Sequence, residues 1–521
     1  MGSRQLSRNV AIGVIGGGAA AVCLLDALAE ARLEPGEVTV FEPSPHLWRG
    51  RPYQPDLDTV RVNIPPEGMS VRFGDQAHFP RWLAARDTVL GMAEPDFVDP
   101  INGLRFVPRA TYGAYLEVSA HDAVSRLRAA GWRVEIVTAQ VTGALPALDG
   151  RVSLLYGDGR HLTVDHTVLC VGRGRPGDPY RLSGLDGYLA DPYPLSGTLR
   201  EFGADADVGV VGAGLTGVDV ALSLLARGHR GRVLLASRSG VLPRVRQTAR
   251  PHTLRHFTAE RFREAAQRGG TVTLRQVIDL MRAEFAEAGE DFTAVAREIT
   301  AAPGAEDPVH RLRRHLSEVD DPDRGLRILQ QSVPATGPDV WPLLPEADRQ
   351  LLLRDHYRSM MSLCCPMPAT TATALLGMID SGQLRIVSDV RAIEPAPGGG
   401  FALRTGDGAA PLRADRMVNA VSPAPGGLPA RAQALVASLV AGGLAEPHPR
   451  GGLRTERATS RLQTGGTTHP GLYALGDLAA GSLFFTFGLP SIVDRAYDIV
   501  QAIRAGGGPP LPTAENALLN V

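Results

Sequence analysis

Two stretches of the chain narrow what it can fold into more than any other feature: Gly16-Gly-Gly18-Ala-Ala-Ala21 and Gly212-Ala-Gly214-Leu-Thr-Gly217. Each sits between a short apolar run and a stretch of helical periodicity. Val10 to Ile15 reads as a buried strand, Ala19 to Ala31 as a helix and Val38 to Phe41 as the next strand. The order recurs in Val208 to Val211, Val218 to Ala226 and Val233 to Ala236. In such a unit the first glycine makes the tight turn and the second leaves the backbone open to a pyrophosphate. The third small residue, Ala21 or Gly217, lets helix and strand pack closely, and the helix N-terminus faces the phosphate charge.

The architecture is duplicated beyond these turns. The first unit is followed by strand-like stretches at Val134 to Val137 and Val152 to Tyr156, then by a buried run led by Asp165 and ending at Gly172. The second is followed by Leu384 to Val387, Phe401 to Thr405, and a run led by Asp415 and ending at Val421. The fold class is therefore α/β, with two Rossmann-like dinucleotide-binding lobes. A Gly-, Pro- and Asp-rich stretch from Arg173 to Asp205 reads as a hinge, and a second crossing is expected in 422–427. Between about Thr248 and Cys365 lies extra material with helical periodicity, as in Leu274 to Ala286 and Leu351 to Met361, broken around Pro303 to Asp323. It reads as a helical insertion. The tail after Gly506 reads as a loosely held terminus.

The residues at the ends of the second strands separate the two lobes. Glu42 stands about 20 residues past Ala21, where a carboxylate can accept from ribose hydroxyls. The second lobe carries Ser237 and Arg238 at the matching place, and an arginine there can pair with a 2′-phosphate that a carboxylate would repel. The second lobe is thus expected to take NADPH.

Composition removes other classes. With 54 basic and 55 acidic residues the net charge is -1, so neither nucleic acid nor an anionic membrane is favoured as a partner. No lysine occurs anywhere, so a lysine Schiff base, a Walker-type lysine and a lysine general base are all excluded. Cys23, Cys170, Cys364 and Cys365 have no C-x-x-C spacing, which fits a reducing compartment and speaks against a disulfide reductase. No metal cluster is expected, and His78 and His356 are isolated. The apolar start from Asn9 to Leu28 is broken by glycines and continues as a helix, which argues against a signal peptide. A cytoplasmic protein is expected.

Gly471-Leu-Tyr-Ala-Leu-Gly476-Asp477, a late strand ending in Gly-Asp, resembles the two-dinucleotide-binding flavoproteins, in which that aspartate holds the FAD ribityl chain. Asp477 matches the position, so FAD is implied in the outer lobe. Four further stretches, Gly50-Arg-Pro-Tyr53, Val62-Asn63-Ile-Pro-Pro66 with Met69-Ser70, His78-Phe-Pro-Arg-Trp-Leu83 and Pro108-Arg109-Ala-Thr-Tyr-Gly113-Ala-Tyr115, sharpen the match. They resemble the FAD-NAD(P)-binding family that includes aspartate N-hydroxylating, nitrosuccinate-forming monooxygenases, relatives of the lysine and ornithine N-hydroxylases. The resemblance implies Asn63 at the isoalloxazine ring, as the catalytic candidate, and Arg109 and Tyr115 supporting the FAD lobe. From the residues alone, Asn63 reads equally as a turn residue. The chain lacks the F-x-G-x-x-x-H signature of Baeyer-Villiger monooxygenases, and Asn419-Ala-Val-Ser422 stands where N-hydroxylases carry Ala-Thr-Gly-Tyr.

The implied organisation is an FAD-binding domain in two parts, 1–195 and 426–521. The NADPH-binding domain 196–425, carrying the insertion at about 248–365, is inserted between them. The implied activity is that of an NADPH-dependent flavin monooxygenase of secondary metabolism, N-hydroxylating a small amine or amino acid with dioxygen through a flavin hydroperoxide. A reductase passing electrons from NAD(P)H to a carrier protein or quinone is the alternative, and a non-catalytic FAD or NADPH module a third reading. Arg49, Arg51, Arg61 and Arg72 are candidates for a substrate carboxylate. The oligomeric state is left open.

Overall fold

The computed structural model describes residues 9–147, 149–302, 304–423 and 427–506. Ala11–Ile15 pairs in parallel with Glu37–Phe41 on one side and His166–Leu169 on the other. Arg133–Val137 extends the sheet past Glu37–Phe41. Thr467–Ala474 adds beside His166–Leu169, with Leu472 opposite Thr167, and antiparallel Arg461–Thr464 closes that edge. A strand from the far end of the chain thus completes the first sheet, as a discontinuous lobe requires. Ala11–Ile15, at the centre, is apolar along its whole length because both faces are covered. Helices Ala19–Glu30, Arg109–Ala129 and Leu489–Ala505 pack on one face. The antiparallel meander Val141–Pro146, Val152–Tyr156, Arg160–Val164 packs on the other, where Leu154 and Val164 meet Ile15 and Phe41.

The second sheet repeats the plan. Its order is Leu384–Val387, Val233–Ala236, Val208–Val211, Arg416–Asn419, Tyr188–Leu189, all parallel. A second meander, Val390–Pro395, Phe401–Thr405 and Leu412–Ala414, lies against it. The duplication reaches single atoms. Asp165 Oδ2 accepts from the Ala11 amide at 2.8 Å, and Asp415 Oδ2 accepts from the Asp207 amide at 2.8 Å. In both lobes the aspartate leading the strand that pairs beside the first ties down the start of that first strand, which satisfies a strand-end donor that the ladder leaves open.

The stretch read as hinge carries the short edge strand Tyr188–Leu189 and the one-turn helix Leu195–Thr198. The expected crossing at 422–427 lies partly outside the described residues, and the tail after Gly506 wholly so. The insertion is helical: Ala259–Gln267, Leu274–Glu287, Phe292–Thr300, Pro308–Ser317, Gly325–Val340, Glu346–Leu351 and Tyr357–Cys364. It has its own core of Phe257, Phe262, Phe285, Ile328, Trp341 and Leu363. The carboxylate of Glu284, fully buried, accepts from the amides of Arg255, His256 and Phe257 and bonds His252 Nε2, ordering the loop that leads into the first insertion helix. Among the described residues no helix is long and apolar enough to cross a membrane.

Candidate functional site

Both glycine turns open onto one cavity of about 2520 Å³ between the two sheets and the insertion. Gly16 (φ +104°) and Gly212 (φ +115°) hold the left-handed conformation that a tight strand-to-helix turn needs. Their amides donate to Phe41 O (2.9 Å) and Ala236 O (2.7 Å), so each turn is stapled to the neighbouring strand. Of the residues singled out from the sequence, Gly16, Gly18, Glu42, Asn63, Gly212, Gly214, Ser237, Arg238 and Asp477 line the cavity. Ala21 and Gly217 lie beneath it. Ala21 is fully buried, and a Cβ on Gly217 would fall 2.1 Å from Gly212 O. Their smallness serves packing, as the spacing requires.

The Gly18 and Gly214 positions are not equivalent. A Cβ at Gly214 would project into open space, whereas one at Gly18 would lie 3.3 Å from Gly50 Cα, because the segment after Trp48 folds over the first turn. Glu42 is held from behind: Oε2 accepts from the Gly17 amide and Oε1 from the Ser44 amide, both at 2.8 Å. Its remaining lone pairs can take hydroxyls.

Asp477 is 5% exposed. Its Oδ1 lies 3.3 Å from Arg173 Nε, while Oδ2 is buried with no hydrogen-bond partner. Burial pushes its carboxyl up, against the pull of Arg173. An orphaned carboxylate oxygen on a cavity wall is costly unless a ligand donor meets it. A polyol chain laid along this wall supplies that donor, so the residues present fit FAD.

In the second lobe, Ser237 Oγ accepts from the Gly240 amide at 2.8 Å, shaping the bend that carries Arg238. Arg238 is exposed and lines the cavity with Tyr180 and with Arg358 of the insertion. Burial, and then the neighbouring Arg238, lower the pKa of Arg358. Two adjacent guanidiniums without a carboxylate partner among the described residues form a place for a dianion. Arg358 gave no signal in the sequence, since it lies in a helix remote from the glycine turn.

Asn63 stands where the lobes and the insertion meet. Its Nδ2 donates to Pro366 O (3.3 Å) and its carbonyl accepts from Arg246 Nε (3.1 Å). Arg109 also bridges the lobes, its Nη2 donating to Asp219 Oδ2 at 2.7 Å and its Nη1 to Tyr193 Oη at 3.2 Å. Tyr115 is internal, its hydroxyl accepting from the Val71 amide (3.0 Å) and bonding His78 Nδ1 (2.7 Å).

The four arginines considered for a substrate carboxylate are engaged elsewhere. Arg49 is paired with Glu117, Arg51 with Asp191 and Arg72 with Asp26. Arg61 donates to Asp58 O and lies over the Phe97 ring, and neither Arg61 nor Arg72 reaches the cavity. The insertion contributes Gln330, Pro334 and Thr336 from one helix and Tyr357, Met361 and Cys364 from another to the cavity wall. All four cysteines are free thiols, and burial pushes Cys365 up to about 11.

Residues 13–174 match the family model described as FAD-NAD(P)-binding. No curated protein matches the chain by sequence. Among solved structures, the ornithine N-hydroxylase of Kutzneria sp. 744 is 16% identical, with 96% of this chain and 100% of that chain covered and a TM-score of 0.54. The ornithine hydroxylase of Pseudomonas aeruginosa in its reduced form is 16% identical over 96% and 99%, with a TM-score of 0.54. The FAD-bound cadaverine monooxygenase of Erwinia amylovora is 12% identical over 99% of both chains, with a TM-score of 0.58. The likeness is one of fold, and it runs the length of the chain.

Proposed function

We propose that the protein is an NADPH-dependent, FAD-containing monooxygenase that hydroxylates the nitrogen of a small amine or amino acid. The carrying observation is that one roofed cavity receives both glycine turns, Asp477 and the insertion helices, so two dinucleotides and a small third ligand can meet in it. The similarity of fold to ornithine and cadaverine N-hydroxylating enzymes supports the same reading. An acceptor as large as a carrier protein is a poorer match to a cavity covered by helices, so the reductase reading is not favoured.

In this reading, residues 1–195 and 426–521 hold FAD and residues 196–425 hold NADPH. Gly16 and Gly18 present the N-terminus of helix Ala19–Glu30 to the flavin pyrophosphate, Glu42 accepts from the adenosine ribose and Asp477 Oδ2 from the ribityl chain. Gly212 and Gly214 do the same for NADPH, and Arg238, on the bend set by Ser237, pairs with the 2′-phosphate. Bound FAD, reduced by NADPH, supplies the activation of dioxygen. Asn63 ties the flavin-side loop to Pro366 and Arg246, and would stand beside the flavin when FAD is bound. The insertion helices form part of the cavity wall, and shielding from water there would protect an oxygenating site from wasteful breakdown. The substrate nitrogen must present a free lone pair, so it reacts as the neutral amine.

Aerobic NADPH oxidation by the FAD-loaded protein, run against a panel of amino acids and amines with mass analysis, tests this. An amine that speeds oxidation and gains oxygen supports it. No such amine, alongside rapid reduction of a quinone or carrier protein, replaces it with the reductase.

A further inference from the structure

The cavity wall at the junction of lobes and insertion carries a cation without a counter-ion. Arg246 is pinned by its backbone, the amide donating to Met367 O (2.8 Å) and the carbonyl accepting from Asn102 Nδ2 (3.3 Å). Its side chain lines the cavity, and the one hydrogen bond it makes runs from Nε to the carbonyl of Asn63. Among the described residues, neither Nη group has a hydrogen-bond partner and no carboxylate pairs with them. Several neighbouring arginines are treated differently, although Arg238 and Arg358 on the same cavity likewise lack a carboxylate partner among the described residues. Arg244 pairs with Glu298 and Glu318, Arg173 with Asp477 and Arg109 with Asp219.

Burial lowers the pKa of Arg246 to about 10, against a smaller opposing effect of the Cys365 thiol, so it stays charged at neutral pH. A half-buried guanidinium with no anion beside it is stabilised by an arriving anionic ligand. That ligand is not a cofactor phosphate in the arrangement above, where the pyrophosphates lie at Gly16–Gly18 and Gly212–Gly214 and the 2′-phosphate at Arg238. The free pair of Nη groups on a planar fork matches the two oxygens of a carboxylate.

We infer that Arg246 is the site that holds a substrate carboxylate, which makes the substrate an amino acid rather than a simple amine or diamine. Held at its carboxylate beside Asn63, such a molecule is oriented with its nitrogen directed away from Arg246 and into the cavity. The inference rests on reading this cavity as the place where flavin, nicotinamide and substrate meet.

The test is calorimetric titration of the FAD-loaded protein with succinate, with L-ornithine against putrescine, and with L-lysine against cadaverine. It is run on the unaltered chain, Arg246→Met and Arg246→Lys, with the flavin content of each reporting its folding. The expected result is that a carboxylate-bearing probe binds the unaltered protein, binds Arg246→Met about tenfold or more weakly, and is partly recovered by Arg246→Lys. Equal affinity for an amino acid and its decarboxylated amine in the unaltered protein overturns the inference, as does undiminished carboxylate binding in Arg246→Met, or no carboxylate binding at all. If Arg246→Met does not retain flavin, the first comparison and Arg246→Lys carry the test. Carboxylate binding lost with Arg246, but no oxygenated product from any amino acid, would sink the N-oxygenation reading while leaving the site. Oxygenated product with Arg246-independent binding would do the reverse.

Discussion

Arg173 Nε stands 3.3 Å from Asp477 Oδ1, and the other oxygen of the same carboxylate is buried without a hydrogen-bond partner. Asp477 is thus half satisfied, with Arg173 itself lying over the ring of Phe487. If Oδ2 takes a ribityl hydroxyl, Asp477→Ala should weaken FAD binding by about 1.5–3 kcal/mol, the scale of a hydrogen bond to a charged group. Flavin fluorescence during dialysis against apoprotein reads the change. Unaltered FAD affinity would remove Asp477 from the site.

Gly18→Val should abolish flavin retention. The added Cβ would sit 3.3 Å from Gly50 Cα, and the valine methyls would take the space that the pyrophosphate needs. Protein purified yellow after this change would show that the first turn does not hold the cofactor.

Arg238 and Arg358 flank the end of the second strand, so NADPH should be preferred to NADH. Arg238→Ala is expected to cost NADPH binding about 1–3 kcal/mol and to leave NADH nearly unchanged. Arg358→Ala should act in the same direction. Comparable kcat/KM for the two nucleotides in the unaltered protein would contradict the assignment.

Stability should fall on mild acidification. Burial lowers the pKa of His166, in the first sheet, from its ordinary 6.5 to about 4. Burial, and then Arg450 and Arg454, do the same to His448. Between these values the unfolded chain takes up protons that the folded chain refuses. The stabilisation is therefore present above pH 6.5 and is lost as pH falls towards 4. His166 alone accounts for about 3 kcal/mol at most. Thermal melts between about pH 7 and about pH 4.5 should show a smaller fall in Tm for His166→Gln than for the unaltered protein. An equal or steeper fall in the variant would count against this.

Where sequence reading succeeded and where it failed follows from the range of the signals. Strand, turn and helix at Ala11–Glu30 and Val208–Ala226 are local patterns, and Asp165 and Asp415 mark their strands because each closes a donor on a nearby strand. The insertion was visible as helical periodicity but not as seven separate helices, since Pro334 and Pro338 lie inside Gly325–Val340 and Leu352–His356 winds as a π-helix between two α segments. The edge strand Tyr188–Leu189 was hidden in a stretch rich in Gly, Pro and Asp. Arg246 was not legible at all. It is one of 54 arginines in a chain without lysine, and only the meeting of segments around Asn63, Arg246 and Pro366 sets it apart. Arg49 and Arg72 carry the same local signal, but Glu117 and Asp26, distant in sequence, neutralise them.

The most direct measurement is turnover of the FAD-loaded protein with NADPH and an amino acid under isotopically heavy dioxygen, followed by mass analysis of the product. The account expects an N-hydroxylated amino acid carrying one labelled oxygen atom, formed in proportion to NADPH consumed. NADPH consumption with no labelled organic product from any amino acid or amine, while a quinone or carrier protein is reduced quickly, would contradict it.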